Sequence, residues 1–223
     1  MRLFKNLALC ADDSARSGPE QMALDEALLE SVTRPVLRVY RWKGAAVSFG
    51  CSQSRTTVQA QYPGIPLVRR WTGGGIVEHR GDWTFSLIVP AIEPLAAWRP
   101  TETYRCIHEC LAATLRGLGI AAVLVGPGDC RSGEACFTAP ALHDVHDHQG
   151  QKLCGGAQRR TRRGFLHQGS VQNVSLPDDF ARRFAGTMAA AFELSARDEH
   201  VQERAAILCR EKYDSRPWNE KVP

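Results

Sequence analysis

The chain has no apolar run near the roughly 18 residues that a membrane-spanning helix requires, so a membrane-embedded protein is not expected. Secretion is not expected either. The opening MRLFKNLALC carries two early basic residues, then an apolar patch shorter than the roughly 7–15 residues of a signal-peptide core. The eight cysteines include no C-x-x-C pair and are unevenly spaced, in a chain of 223 residues that is long enough to do without covalent staples. They read as reduced, mostly buried thiols, and the protein as soluble and cytoplasmic. Strong net charge is also absent: the balance of +4 is modest, and the arginines are clumped without interleaved aromatics, which argues against a nucleic-acid surface. Repeats and low-complexity linkers are lacking.

What is present suits one core. With 43% hydrophobic residues, positions 1–223 read as a single domain with room for a small extra lobe. PEQMALDEALLESV, from Pro19 to Val32, carries a helical stripe. VLRVYRW and AAVSFG are short β-rich runs split by Lys43-Gly44, which reads as a hairpin turn. PLVRRW, GIVEH and WTFSLIVP follow as strands, punctuated by Gly73-Gly74-Gly75 and by Gly81-Asp82. Thr101 to Gly119 opens with a capping threonine and ends in glycines, as a helix does. IAAVLV reads as a strand, Gly126 to Gly150 as a long loop, and LCGGAQRR with GFLHQGSVQNV as a returning strand pair. Helices are expected from Pro177 to about Leu194 and from Asp198 to Lys212. The expected fold is α+β, a mixed or antiparallel sheet flanked by helices.

Two segments carry chemistry. RRWTGGGIVEH, Arg69 to His79, places three glycines between strands, exposing backbone N–H groups, with arginines beside them to donate to a carboxylate or phosphate. The bland alternative is a plain turn. KLCGGAQRRTRRGFLHQGS, Lys152 to Ser170, puts a lysine ahead of a glycine pair, where an ammonium can stabilise charge that develops on a carbonyl oxygen. Its bland alternative is a solvated basic hairpin. Cys106 and Cys110, four apart on a helix, can share a metal or pack in the core, and the second is favoured because no partner pair at zinc-site spacing exists. His143, His146 and His148 with nearby aspartates read as a polar loop rather than a metal site. No metal is expected.

Taken in order, with MALDEALL upstream, these segments resemble the lipoate–protein ligase A and octanoyltransferase family, which shares the fold of the biotin–protein ligase catalytic domain. The resemblance covers about residues 20 to 195. It implies that Arg70, Thr72, Gly73, Gly74 and Gly75 line the acyl and phosphate or pantetheine channel, with His79, Gly155, Gly156, Ala157 and His167 also at the substrate, and that Lys152 contacts the acyl carbonyl. One departure stands at His167-Gln168-Gly169-Ser170, where many relatives have Gln-His-Gly or His-His-Gly. Trp71, Trp83 and Phe85 either line an acyl tunnel or pack the core, and the core is favoured.

The family divides by how the acyl group is activated. Ligases use ATP and magnesium to form an acyl adenylate; transferases take the group from acyl carrier protein onto a cysteine. EACFTAP, around Cys136 and ahead of Lys152, resembles the cysteine loop of the octanoyltransferases, and a thiolate beside a lysine and arginines is a better nucleophile. Cys130 and Cys154 are nearby but do not match that motif. The stretch after Leu194 is short, so a separate C-terminal accessory domain is not expected. Octanoyl or lipoyl transfer through Cys136 is the preferred reading, and an ATP-dependent ligase working through Lys152 is the alternative. The resemblance names apo lipoyl domains or a glycine-cleavage H-like protein as acceptors, and no permanently bound cofactor. A non-catalytic binding module is disfavoured because Lys152, the glycines and Arg70 are all present.

Overall fold

The computed structural model describes residues 2–128, 141–195 and 198–221. Strand β1 (Phe4–Arg16) leads into helix α1 (Gly18–Ser31). Glu20 starts this helix by accepting from both the backbone N–H and the hydroxyl of Ser17, at 2.8 and 2.7 Å, and Pro19 sits in its first turn. Strand β2 (Val36–Trp42) turns through Gly44, at φ +74°, into β3 (Ala46–Phe49). The expected hairpin does not form. After helix α2 (Arg55–Gln61), strands β4 (Leu67–Arg69) and β5 (Ile76–His79) take both edges of β3 and make a separate three-stranded sheet. All four β3 residues are buried, so a partner is needed on each side.

Strand β6 (Trp83–Pro90) returns to the main sheet, and α3 (Pro100–Arg116) crosses it. Of the expected strand IAAVLV only β7 (Val123–Leu124) forms, against β8 (Val145–His146). The hairpin β9 (Lys152–Thr161) and β10 (Gly164–Val171) is as expected. Helix α4 (Phe180–Met188) stops short of Leu194, because β11 (Ala189–Leu194) pairs in parallel with the open edge of β1 and this pairing overrides the helical preference of its alanines. Helix α5 (Glu199–Leu208), a single π turn and α6 (Arg216–Asn219) end the described chain.

The main sheet runs β11-β1-β2-β6-β10-β9-β8-β7, with β11, β1 and β2 parallel and the rest antiparallel. It is the expected α+β arrangement, a mixed sheet flanked by helices. Side chains alternate across it. Leu37, Phe85, Leu87 and Phe165 face α3 and α4, where they meet Ile107, Leu111, Phe180 and Phe184 in the largest core cluster. The other face lies under α1 and the small sheet, with α5 packed behind α1. Here the strands carry polar residues in register: Gly155, Ser170, Thr84 and Tyr40 in one row, and Ala157, Gln168, Ser86 and Arg38 in the next. Buried polar rows of this kind need partners, and those partners build the site. Among the described residues no helix is long and apolar enough to cross a membrane.

Candidate active site

Asp25, on α1, organises the second polar row. Its carboxylate pairs with Arg38 at 2.7 Å and accepts from Ser86 at 2.6 Å and from Gln168 Nε2 at 2.7 Å. Gln168 Oε1 then accepts from Thr72 of the glycine loop at 2.7 Å. A single buried chain of hydrogen bonds therefore joins the helix motif, the glycine loop and the second strand of the lysine segment. Removing Thr72 takes this donor from the Gln168 oxygen, and removing Asp25 takes an acceptor from Arg38, Ser86 and Gln168 at once.

The glycine loop covers the first polar row. Arg70 braces it from inside, donating to the Gly73 carbonyl at 2.9 Å, the Gly75 carbonyl at 2.8 Å and Ser48 Oγ at 2.9 Å. Arg69 points the other way and donates to the carbonyls of Cys51, Gln53 and Lys221. The arginines expected to meet an anion thus hold backbone carbonyls. Gly74 adopts φ +82°, a left-handed conformation that favours glycine. His79 lies beneath the loop with Nδ1 2.8 Å from Asp82 and Nε2 2.7 Å from Ser48, and Trp42 stacks on its ring at 3.8 Å. Burial alone pushes the Asp82 carboxyl up, but hydrogen bonds from His79, Ser170 and Thr84 outweigh it and hold the group below the usual range. The network assigns the His79 hydrogen to Nδ1, facing Asp82, while Ser48, which already accepts from Arg70, donates to Nε2.

Between this loop and the sheet lies a narrow, mostly apolar cleft. Its floor is Gly155, Gly156, Ala157, Gly169 and Ser170, and Met22 and Val77 close its sides. Tyr40 and Trp42 line it on β2, the strand remote from Lys152. Lys152 stands at the β9 side: a Cβ placed on Gly155 would lie 2.7 Å from Lys152 Nζ. Lys152 is buried, and its ammonium pairs with Asp144 at 2.7 Å. The cleft is narrow, with Arg70 in its lining and the Lys152 ammonium beside its Gly155 end.

Of the residues expected at the substrate, Arg70, His79, Gly155, Gly156 and Ala157 line this cleft, Thr72, Gly73, Gly74 and Gly75 lie in the loop that Arg70 braces, and Lys152 lies beside Gly155. His167 lies on the opposite face of β10, packed against Phe85, Tyr104 and His108, and it is Gln168 that faces the cleft. Cys136 lies outside the described residues. Cys106 and Cys110 are buried on α3, and burial pushes the Cys110 thiol up to about 12. Phe85 packs edge-on against Phe184, and Trp83 edge-on against Phe180, in the core as favoured. Trp71 lies under Lys212 and Arg159, away from the cleft. Sequence reasoning passed over Asp25, Ser48, Tyr104, Asp144 and Gln168. For Gln168 a signal existed in the alternation of HQGS, which puts a polar side chain on the covered face of a strand.

Fold and site together define a class, a mixed-sheet domain in which a glycine loop and a strand bearing a buried lysine flank a narrow apolar cleft. The chain belongs to the lipoyl protein ligase A/B catalytic domain family, which residues 17–195 match. It is similar to octanoyltransferase LipM of Staphylococcus epidermidis, with 33% identity over 176 residues, 71% of this chain and 63% of that protein. LipM of Exiguobacterium is 31% identical over 214 residues, 88% of this chain and 72% of that protein. The match to the Staphylococcus relative therefore spans less than two thirds of its length. In three dimensions the chain resembles lipoate-protein ligase A bound with ATP, with a TM-score of 0.77, 22% identity, and coverage of 99% of this chain and 100% of the other. It also resembles a chain from the bi-partite lipoate protein ligase and E2 lipoyl domain system of Thermoplasma acidophilum, with a TM-score of 0.72, 22% identity and coverage of 98% of both chains. At that identity the likeness is one of fold.

Proposed function

We propose that this chain is an acyltransferase that moves an octanoyl or lipoyl group from acyl carrier protein, through a thioester on Cys136, to a lysine of a lipoyl carrier domain. The observation that carries the reading is the narrow apolar cleft with the buried Lys152 at its edge, in a chain about one-third identical to the octanoyltransferases named above. The preference for transferase over ligase rests on the EACFTAP segment around Cys136.

In the first half-reaction the Cys136 thiolate attacks the acyl carbonyl of the carrier thioester. The Lys152 ammonium donates to the oxygen that gains negative charge, and collapse of the adduct expels the pantetheine thiolate, which takes up a proton. In the second, the neutral acceptor lysine attacks the enzyme thioester, the Cys136 thiolate leaves, and the new amide nitrogen loses its proton. Arg70 keeps the glycine loop closed over the chain, and the cleft floor keeps water away from the thioester. Apo lipoyl domains and a glycine-cleavage H-like protein are the proposed acceptors.

The test is to incubate the protein with an apo lipoyl domain and either octanoyl-acyl carrier protein without ATP, or lipoate with ATP and magnesium, and to follow the mass of the domain. Acylation without ATP, through a hydroxylamine-sensitive adduct that Cys136→Ala loses, is the expected result. Acylation only with ATP, undiminished in Cys136→Ala and abolished in Lys152→Ala, would make the chain a ligase and remove Cys136 from the mechanism.

A further inference from the structure

Asp144, the counter-ion of Lys152, receives three donors. Lys152 Nζ and the backbone N–H of Ala141 reach Oδ2 at 2.7 and 2.6 Å, and the Tyr104 hydroxyl reaches Oδ1 at 2.5 Å. The first two come from the lysine strand and from the turn that carries Asp144. The third comes from α3, on the far side of the sheet from the glycine loop. Tyr104 has one hydroxyl hydrogen and two acceptors in range, Asp144 Oδ1 and the Gly156 carbonyl at 3.2 Å, and the shorter contact to the charged group takes it. The phenol oxygen in turn accepts the Gly156 N–H at 2.9 Å. One side chain thus holds both the lysine's counter-ion and the strand that floors the cleft. Burial, reinforced by the Asp144 carboxylate, pushes the Tyr104 phenol well above its ordinary pKa, so it stays a donor.

We propose that Tyr104 is a positioning residue for acyl transfer, acting through Asp144 to fix the Lys152 ammonium where the acyl oxygen develops charge. The proposal rests on the reading of Lys152 given above. A lysine is a point charge on a flexible stem, so its place is only as definite as that of its partner. Asp144 sits in a turn beside His143, whose φ is +68°, and the Tyr104 contact ties that turn to the helix layer. Fixing the ammonium before reaction matters in the transition state rather than in binding, so the effect belongs in kcat and not in KM.

The experiment compares the wild type, Tyr104→Phe, Asp144→Asn, their double variant and Lys152→Ala, all in the full chain, with octanoyl-acyl carrier protein and apo lipoyl domain. Tyr104→Phe is expected to lower kcat about tenfold, the worth of one charge-assisted hydrogen bond, with both KM values unchanged. Asp144→Asn is expected to lower kcat further, and adding Tyr104→Phe to it to have no additional effect. A tenfold loss in both backgrounds would mean that the phenol acts through Gly156 and would overturn the proposal, as would an unchanged kcat. A second readout needs no turnover: the hydrogens of the Lys152 ammonium, observed by nitrogen-15 NMR, should exchange with solvent about tenfold faster in Tyr104→Phe. Equal exchange rates overturn the proposal. If Lys152→Ala keeps full turnover while exchange still quickens in Tyr104→Phe, the role of Lys152 fails and its positioning by Tyr104 stands.

Discussion

Thr72 and Gln168 join the two halves of the site: the threonine hydroxyl of the glycine loop donates to the Gln168 side-chain oxygen at 2.7 Å, and the Gln168 amide continues to Asp25 at 2.7 Å. All three side chains are buried. Thr72→Val keeps the volume but leaves the Gln168 oxygen without this donor, which should cost about 1–3 kcal/mol. Asp25→Ala should cost more, about 3–5 kcal/mol, because it removes the carboxylate that balances the buried Arg38 guanidinium. Urea unfolding of the two variants checks the order. Equal stability of Asp25→Ala and wild type would show that the chain of hydrogen bonds is not what ties α1 to the sheet.

The glycines should differ sharply in tolerance. A Cβ on Gly73 meets nothing within 4 Å, whereas one on Gly155 would sit 2.7 Å from Lys152 Nζ and one on Gly50 would sit 2.1 Å from the Gly74 carbonyl oxygen. Gly73→Ala is therefore expected to fold with nearly unchanged stability. Gly155→Ala should displace the flexible end of Lys152 and lower turnover while the protein still folds. Gly50→Ala presses on rigid backbone and should destabilise the protein by about 1–3 kcal/mol, the usual cost of overpacking. Melting temperatures together with acyl-transfer rates separate these outcomes, and a Gly155→Ala variant with full activity would place the lysine tip elsewhere.

The motifs were legible because each sets a glycine run a few residues after a basic residue, Arg69 and Arg70 in RRWTGGG and Lys152 in KLCGGAQ. The α+β order was legible because α3 shows helical periodicity and β6 carries a dense apolar run. Strand β1 was not, since FKNLALCADDSAR mixes charged and apolar residues and becomes a strand by lying between β2 and β11. The alanine-led β11 was hidden for the same reason, a long-range pairing that local preference does not record. The side to which His167 points depends on strand register, where a shift of one residue exchanges the faces. Asp144 looked like one acid in a polar loop, and only the fold shows that its carboxylate is buried against Lys152 and Tyr104.

Trp42 should control which acyl chains fit. The cleft crosses the sheet from Gly155 on β9, over β10 and β6, to Tyr40 and Trp42 on β2, and neighbouring strands lie about 4.8 Å apart. Trp42 is fixed there by its stack on His79 and by a 2.8 Å hydrogen bond from its ring nitrogen to Thr84. Trp42→Ala is expected to open the β2 end of the cleft, raising kcat/KM for longer or bulkier acyl groups relative to octanoyl. Competition between acyl-carrier substrates of different length measures the ratio directly. A ratio unchanged from wild type would mean that the chain does not reach β2.

The protein should lose stability on mild acidification, and the buried His108–His167 pair supplies the reason. The rings meet edge to face at 5.2 Å beneath Tyr104, and His108 Nδ1 lies 2.8 Å from the His143 carbonyl. Burial pushes His108 down to about 4, and burial with the neighbouring His108 pushes His167 well below its ordinary value. Both are therefore neutral when folded, while in the unfolded chain a histidine titrates near about 6.5. Between those values the unfolded state binds more protons, so the stability from burying neutral rings is complete above about pH 6.5 and is lost as the pH falls toward 4. The slope is about 1.4 kcal/mol per pH unit for each ring, or about 4 kcal/mol for the two together at pH 5. Asp82, held below its ordinary value, loses its contribution only below its unfolded pKa of about 3.8, outside this window. Unfolding measured at pH 7, 6 and 5 should show the decline, and His108→Gln, which removes one titrating ring, should reduce the slope by about half. A stability that is flat from pH 7 to 5 would mean that one or both rings take up a proton without unfolding.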